Sequence, residues 1–181
     1  MYTNSSATEL NNLSYIPLGL HEYRHGFMPT IVDVFANGLY TSREIASLSD
    51  ATVKAKQYFT QLLSGGLATP NHYFYSIHHL GKQIGFVWYY RKQTRRICRI
   101  ALVYITESFR RRGFAKQAMR WIEQEALKEQ MTSIELNVFC SNRSARNLYD
   151  TLGYQPDLSQ CTKTRLIMTK FICSDARGKC K

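Results

Sequence analysis

Apolar residues recur at helical spacing from Phe114 onward, through Ala115, Ala118, Met119, Ile122 and Ala126. The segment before them, "RICRIALVYI", reads as a strand. After the helix comes "SIELNVF", whose Ile134, Leu136 and Val138 alternate onto one face. Strand, Gly-containing turn, helix and strand over residues 97–139 make a βαβ unit, so the two strands are expected to be parallel and joined right-handedly. Upstream, "HYFYSIHHL" and "QIGFVWYYR" read as a hairpin through Gly81-Lys82. "LSYIPL" reads as a strand that Pro17 assigns to an edge or a bulge. Between them the pattern predicts an irregular helix, or two short ones, from Glu22 to Leu39, interrupted at Gly26 and Pro29 and stopped by Gly38. A cleaner helix is expected from Asp50 as N-cap, with Val53, Phe59, Leu62 and Leu63 as its stripe and Gly65-Gly66 as its end. A short helix holds Ala145, Leu148, Tyr149 and Leu152 and closes at Gly153, and "TRLIMTKFI" is the last strand.

The length of 181 residues suits one domain with a substantial core. The boundaries expected are an N-terminal extension over 1–13, a single domain over 14–171 and a flexible basic tail over 172–181. No apolar run approaches the roughly 20 residues of a membrane span, and "MYTNSSATEL" lacks the features of an export signal. Five cysteines without a C-x-x-C pair argue against a disulfide framework and against a zinc knuckle. A cytoplasmic location, no membrane association and no bound metal are expected.

Charge changes the picture. The net charge is +11, from 24 Lys and Arg against 13 Asp and Glu. Part of the excess lies in "YYRKQTRRICRI", where Arg91, Lys92, Arg95, Arg96 and Arg99 have no acid among them. That cluster is equally compatible with a solvated hairpin tip and with a binding role. A second part lies in "SFRRRGFAKQAMR", where Arg110, Arg111 and Arg112 stand at the entrance of the predicted helix. This is the positive pole of the macrodipole and carries unpaired N–H groups, so cations there cost roughly 0.3–1 kcal/mol each without a compensating anion. In βαβ sheets, a helix N-terminus beyond the carboxyl ends of the strands is where phosphates bind. The turn is neither GxxxxGK[ST] nor GxGxxG, which disfavours a nucleotide P-loop and a Rossmann site.

"RRRGFA" fits the R/Q-x-x-G-x-G/A signature of the GNAT superfamily of N-acetyltransferases, and "LNVFCSNRSARNLYDTLGY" resembles that superfamily's second motif. "GGLATPNHYFYSI", "GFVWYY" and "IMTK" resemble a bacterial branch of it, so the likeness covers about Tyr15 to Lys170. The resemblance implies an α/β (α+β) GNAT fold: a mixed, mainly antiparallel sheet with one splayed parallel strand pair, flanked by about four helices. It also implies acetyl transfer from acetyl-CoA, as co-substrate, to a primary amine in a ternary complex, with no metal and with a monomeric or homodimeric enzyme.

Residue by residue, the resemblance places the pyrophosphate of acetyl-CoA on the turn of Arg110, Arg111, Arg112, Gly113, Phe114, Ala115 and Lys116. It places the pantetheine arm along the backbone of Val103, Tyr104 and Ile105, and Asn142 against the cofactor. Asn142 is also a plausible N-cap. Tyr149 matches the tyrosine whose hydroxyl lies near the CoA sulfur in relatives, where it can protonate the departing thiolate; without the motif it reads as a core aromatic. The positions where relatives often carry a basic carboxylate read Leu102, Tyr104 and Asn137. Glu135, on the same strand face as Asn137, is the first candidate for general base. Glu107, His72, His78 and His79 follow, and a water chain acting on a desolvated amine is a further route.

Two other classes fit parts of the sequence. The charge and interleaved Tyr and Arg suit a nucleic-acid-binding domain, although no RNP, KH or helix-turn-helix pattern appears. The missing strand carboxylates suit a GNAT fold that binds CoA without catalysing. The acceptor is not encoded in these motifs: a protein amine, a small amine or an acidic peptide are open, and the positive field disfavours a free polyamine.

Overall fold

The computed structural model describes residues 13–172. Apart from Leu13 and Ile172, the expected N-terminal extension and basic tail lie outside the described residues. Seven strands form one sheet in the order β1-β2-β3-β4-β5-β7-β6: β1 (Leu13–Pro17), β2 (His72–His79), β3 (Lys82–Lys92), β4 (Ile97–Ile105), β5 (Ser133–Phe139), β6 (Gln155–Pro156) and β7 (Arg165–Phe171). β4 and β5 are parallel and every other neighbouring pair is antiparallel. No described helix is long and apolar enough to cross a membrane.

Four helices cover the sheet: α1 (Met28–Thr41), α2 (Leu48–Leu62), α3 (Phe114–Lys128) and α4 (Arg143–Thr151). One apolar cluster joins α3 to one sheet face through Phe114, Ala118, Met119 and Ile122, with Ile134, Leu136 and Val138 of β5 beneath; Ala145, Leu148 and Tyr149 of α4 pack on it. A second cluster joins α1 and α2 to the opposite face through Phe27, Ile31, Phe59, Phe74, Phe86 and Trp88.

Several local expectations need correction. The first helix is not stopped at Gly38 but continues to Thr41, after an irregular lead-in of one α-turn (Leu20–Glu22) and one π-turn (Tyr23–Phe27). Gly38 is a packing residue: a Cβ there would overlap the Phe139 ring. The cap of α2 is Ser47, whose Oγ accepts the Asp50 N–H at 3.4 Å, and Asp50 sits in the first turn, where a carboxylate favours the macrodipole. Val53 is 52% exposed; the buried stripe is Ala51, Ala55 and Phe59, because small residues at i and i+4 let α2 lie close to its neighbours. The hairpin turns one residue earlier than expected, through Leu80 (φ 49°) and Gly81 (φ 75°), with His79 opposite Lys82. Two successive left-handed residues match the twist of the flanking strands.

The connection between α1 and α2 is tied across the sheet to β7. Arg165 donates through Nε to Glu44 Oε1 at 2.9 Å and through Nη2 to Oε2 at 2.6 Å, and Thr164 Oγ1 donates to Oε1 at 2.8 Å. The guanidinium also lies over the rings of Phe35 and Phe139. The Arg165 hydrogen bonds hold the Glu44 carboxyl below the usual carboxylate range. A folded pKa below the unfolded one makes the contribution complete above the ordinary carboxylate range and lost as pH falls through the depressed value. Glu44→Gln is therefore expected to lower the free energy of urea unfolding by about 1 kcal/mol at pH 7. The penalty should shrink at pH values below about 4; an equal penalty at both ends of that range would contradict the assignment.

Candidate active site

The site begins with an extra residue in β4. Trp88 faces Leu102 and Tyr89 faces Ile100, so Ala101 has no partner on β3. Up to this point β4 and β5 are parallel neighbours, from Ile97 opposite Ser133 to Ile100 opposite Leu136. Beyond it, β4 continues beside β3 to Ile105, while Asn137, Val138 and Phe139 continue beside β7. The two strands separate, and backbone groups on the facing edges lose strand partners. Gly85 of β3 permits this path: a Cβ there would overlap the Tyr104 carbonyl oxygen.

A cavity of about 840 Å³ occupies the split. Its walls include Leu102, Val103 and Tyr104 from β4, Asn137, Val138 and Phe139 from β5, and Asn142, Ala145 and Tyr149 around α4. Asp33, Val34 and Phe35 of α1 and Tyr58 of α2 close the other side. Ile105, the third strand residue expected at the site, is buried and outside this wall.

Beyond the end of β4 lies the arginine turn. Arg111 (φ 64°) and Gly113 (φ 82°) are left-handed, and Gly113 is the N-cap of α3 without a side-chain cap. The N–H groups of residues 111–116 donate to no acceptor among the described residues. Alternating backbone hands of this kind make amides converge into an anion-binding concavity. A Cβ on Gly113 would meet nothing within 4 Å, so the turn is open beside Gly113. Phe114 anchors the turn in the core at 3% exposure. Arg110 donates through Nε to the Ile105 carbonyl at 3.0 Å and lines the cavity, whereas Arg112 lies over the Phe109 ring. Ala115 and Lys116 are half-buried in the first turn of α3.

Asn142 accepts the Ala145 N–H at 3.1 Å through Oδ1, which makes it the N-cap of α4 while it also lines the cavity. Tyr149 lies in the cavity wall, its hydroxyl bonded to no described residue, and burial pushes its pKa up to about 12. The other candidates lie elsewhere. Glu135 is outside the cavity wall, and its Oε2 accepts from Arg99 Nη1 at 2.9 Å, with Lys92 Nζ at 3.7 Å. His72 Nδ1 accepts the Trp88 indole N–H at 3.1 Å, and burial lowers its pKa. His78 is bonded to Ser76, the His79 ring packs on Phe114, and Glu107 is exposed.

Sequence reasoning missed Asp33, Tyr58, Tyr90, Arg99 and Arg165, all in the cavity wall. The alternation of β3 could have placed Tyr90 on the face of Trp88, but no local signal marks the bulge that brings Arg99 there. The basic cluster of 91–99 also looks different in three dimensions. Arg91 pairs with Glu129, Lys92 and Arg99 lie on Glu135, and Arg96 Nε donates to the Gln130 carbonyl.

A family model described as the acetyltransferase (GNAT) family matches residues 38–154. The uncharacterized N-acetyltransferase YycN of Bacillus subtilis (strain 168) is 34% identical over 125 residues, covering 67% of this chain and 75% of that protein. The crystal structure of YycN superposes with a TM-score of 0.76 at 27% identity, covering 84% of this chain and 98% of that one. The PaiA N-acetyltransferase of Thermoplasma acidophilum, solved in complex with coenzyme A, shares the fold with a TM-score of 0.67 at 14% identity, over 89% of this chain and 99% of that one. With its split parallel pair, its amide-lined turn and these matches, the chain belongs to the GNAT acetyltransferase family.

Proposed function

We propose that the protein transfers an acetyl group from acetyl-CoA to a primary amine by direct attack within a ternary complex. The observation that carries this reading is the cavity in the strand split, with an unbonded tyrosine hydroxyl in its wall and a turn of free amides beyond it. The pyrophosphate rests on the amides of residues 111–116, where the macrodipole and the arginines compensate its charge. The pantetheine arm lies along Val103, Tyr104 and Ile105 and takes up hydrogen bonds that β5 does not make. A strand N–H facing the thioester carbonyl stabilises the tetrahedral oxyanion, an effect worth a few kcal/mol when preorganised.

The amine nitrogen attacks the thioester carbon, the C–S bond breaks, the leaving thiolate takes a proton from Tyr149, and the proton lost by the nitrogen restores the phenol through water. A phenol with its pKa raised to about 12 holds that proton at neutral pH. Glu135 is assigned to hold Arg99, because its carboxylate accepts from that guanidinium outside the cavity wall. The pairing of Arg91 with Glu129, and of Lys92 and Arg99 with one shared carboxylate, Glu135, supports this reading over a nucleic-acid-binding one, since only one of those three charges is left over.

Acetyl-CoA should raise the melting temperature by binding the folded state. Gly113→Glu is expected to abolish that rise, because it sets a carboxylate over the amides and strains a backbone at φ 82°. The variant should still fold, and an undiminished rise would remove the phosphate assignment.

Tyr149→Phe keeps the ring and loses the proton donor. Single-turnover acetyl transfer is expected to slow by about 10²–10⁴-fold with acetyl-CoA affinity retained. Transfer at the parental rate would return Tyr149 to a packing role and leave thiolate protonation to water.

A further inference from the structure

Three arginines line the cavity, and they differ in what they hold. Arg110 gives its Nε–H to the Ile105 carbonyl, and Arg165 is taken up by Glu44 at both ends of its fork. Arg99 donates through Nη1 to Glu135, and its remaining N–H groups meet no acceptor among the described residues. A guanidinium has five donors in a planar fork, so Arg99 retains donors for a second planar acceptor. Its side chain is 17% exposed, and it stands in the cavity wall where Glu135 does not.

The charge balance points the same way. Lys92 and Arg99 share one carboxylate, which leaves one positive charge uncompensated on this side of the cavity. Asp33, the carboxylate in the wall, belongs to α1 on the facing side, is exposed and forms no ion pair among the described residues. An acceptor that is only cationic would meet Arg99 and Lys92 unfavourably. One that carries a carboxylate beyond its amine would complete a charge-assisted fork. The distances are compatible: Arg99 precedes the residues at the split by two to three positions, about 7–10 Å along a strand.

The geometry points to Arg99 as the residue that selects amine acceptors bearing a carboxylate, bound through the part of its guanidinium that Glu135 leaves free. This inference rests on the acyl-transfer reading above.

The test uses β-alanine, γ-aminobutyrate and ε-aminocaproate, each beside its own carboxamide, with acetyl-CoA and the full chain. At the best chain length, kcat/KM should favour the carboxylate by about tenfold or more, and Arg99→Gln should remove that preference. Because Arg99→Gln leaves Glu135 with only Lys92, at 3.7 Å, the double variant Arg99→Gln/Glu135→Gln is measured beside it and should lose the preference equally. A second readout needs no chemistry. With CoA present, N-acetyl-ε-aminocaproate should raise the melting temperature more than its carboxamide does, and the difference should vanish in both variants. Equal kcat/KM for the two series, a preference that both variants retain, or no effect in either assay would overturn the inference. A carboxylate-dependent melting shift lost in the variants, without acetyl transfer to any amine, would uphold Arg99 as a carboxylate site and count against acyl transfer.

Discussion

Two neighbouring strands that pair for four residues and then part impose the constraint on which the rest of the molecule depends. Each is drawn away by a different partner. β4 keeps its ladder to β3 because Gly85 leaves room for the Tyr104 carbonyl, and the extra Ala101 resets its register. β5 keeps its ladder to β7, and its end is held against α1, where the Phe139 ring occupies the space a side chain at Gly38 would take. Arg165, lying on Phe139 and bound to Glu44, fastens the same corner to the connection between α1 and α2. The split is thus held from both sides by packing.

An open split has an energetic cost, since a backbone polar group left without a partner away from water costs about 1–3 kcal/mol. A ligand arm with its own amide groups offsets that cost. The arginine turn is a parallel case: free amides and clustered cations at a helix entrance are unfavourable until an anion arrives. Both features set stability aside locally in favour of a ligand, and the core clusters on the two sheet faces hold them in shape.

Much of this was legible in the sequence because periodicity and turn chemistry are local. The alternation of Ile134, Leu136 and Val138, the stripe of α3, the Gly113 turn and the Asn142 cap all appear where the residues place them. Gly38 misled because a glycine needed for contact with a ring about a hundred positions away looks the same as a glycine that ends a helix. Asp50 was a plausible cap, but Ser47 is the residue with extended backbone. The cavity wall was least legible. Arg99 and Glu135 lie on one face because the parallel register sets them opposite each other, and only the packing of α1 and α2 on the sheet brings Asp33 and Tyr58 into the cavity that Arg99 lines. The basic run of 91–99 looked wholly unpaired because the two acids that take Arg91, Lys92 and Arg99, Glu129 and Glu135, lie beyond α3 in sequence.

On the proposed function, the strand split and the arginine turn form one continuous binding surface for acetyl-CoA. Amide hydrogen exchange measured with and without CoA tests it most directly, because the groups proposed to bind are themselves backbone N–H donors. Slowed exchange is expected in residues 102–105 and 111–116 together, at the same CoA concentration, with the hairpin over 91–96 unaffected. Protection of that hairpin, with exchange at the split and the turn unchanged, would contradict it.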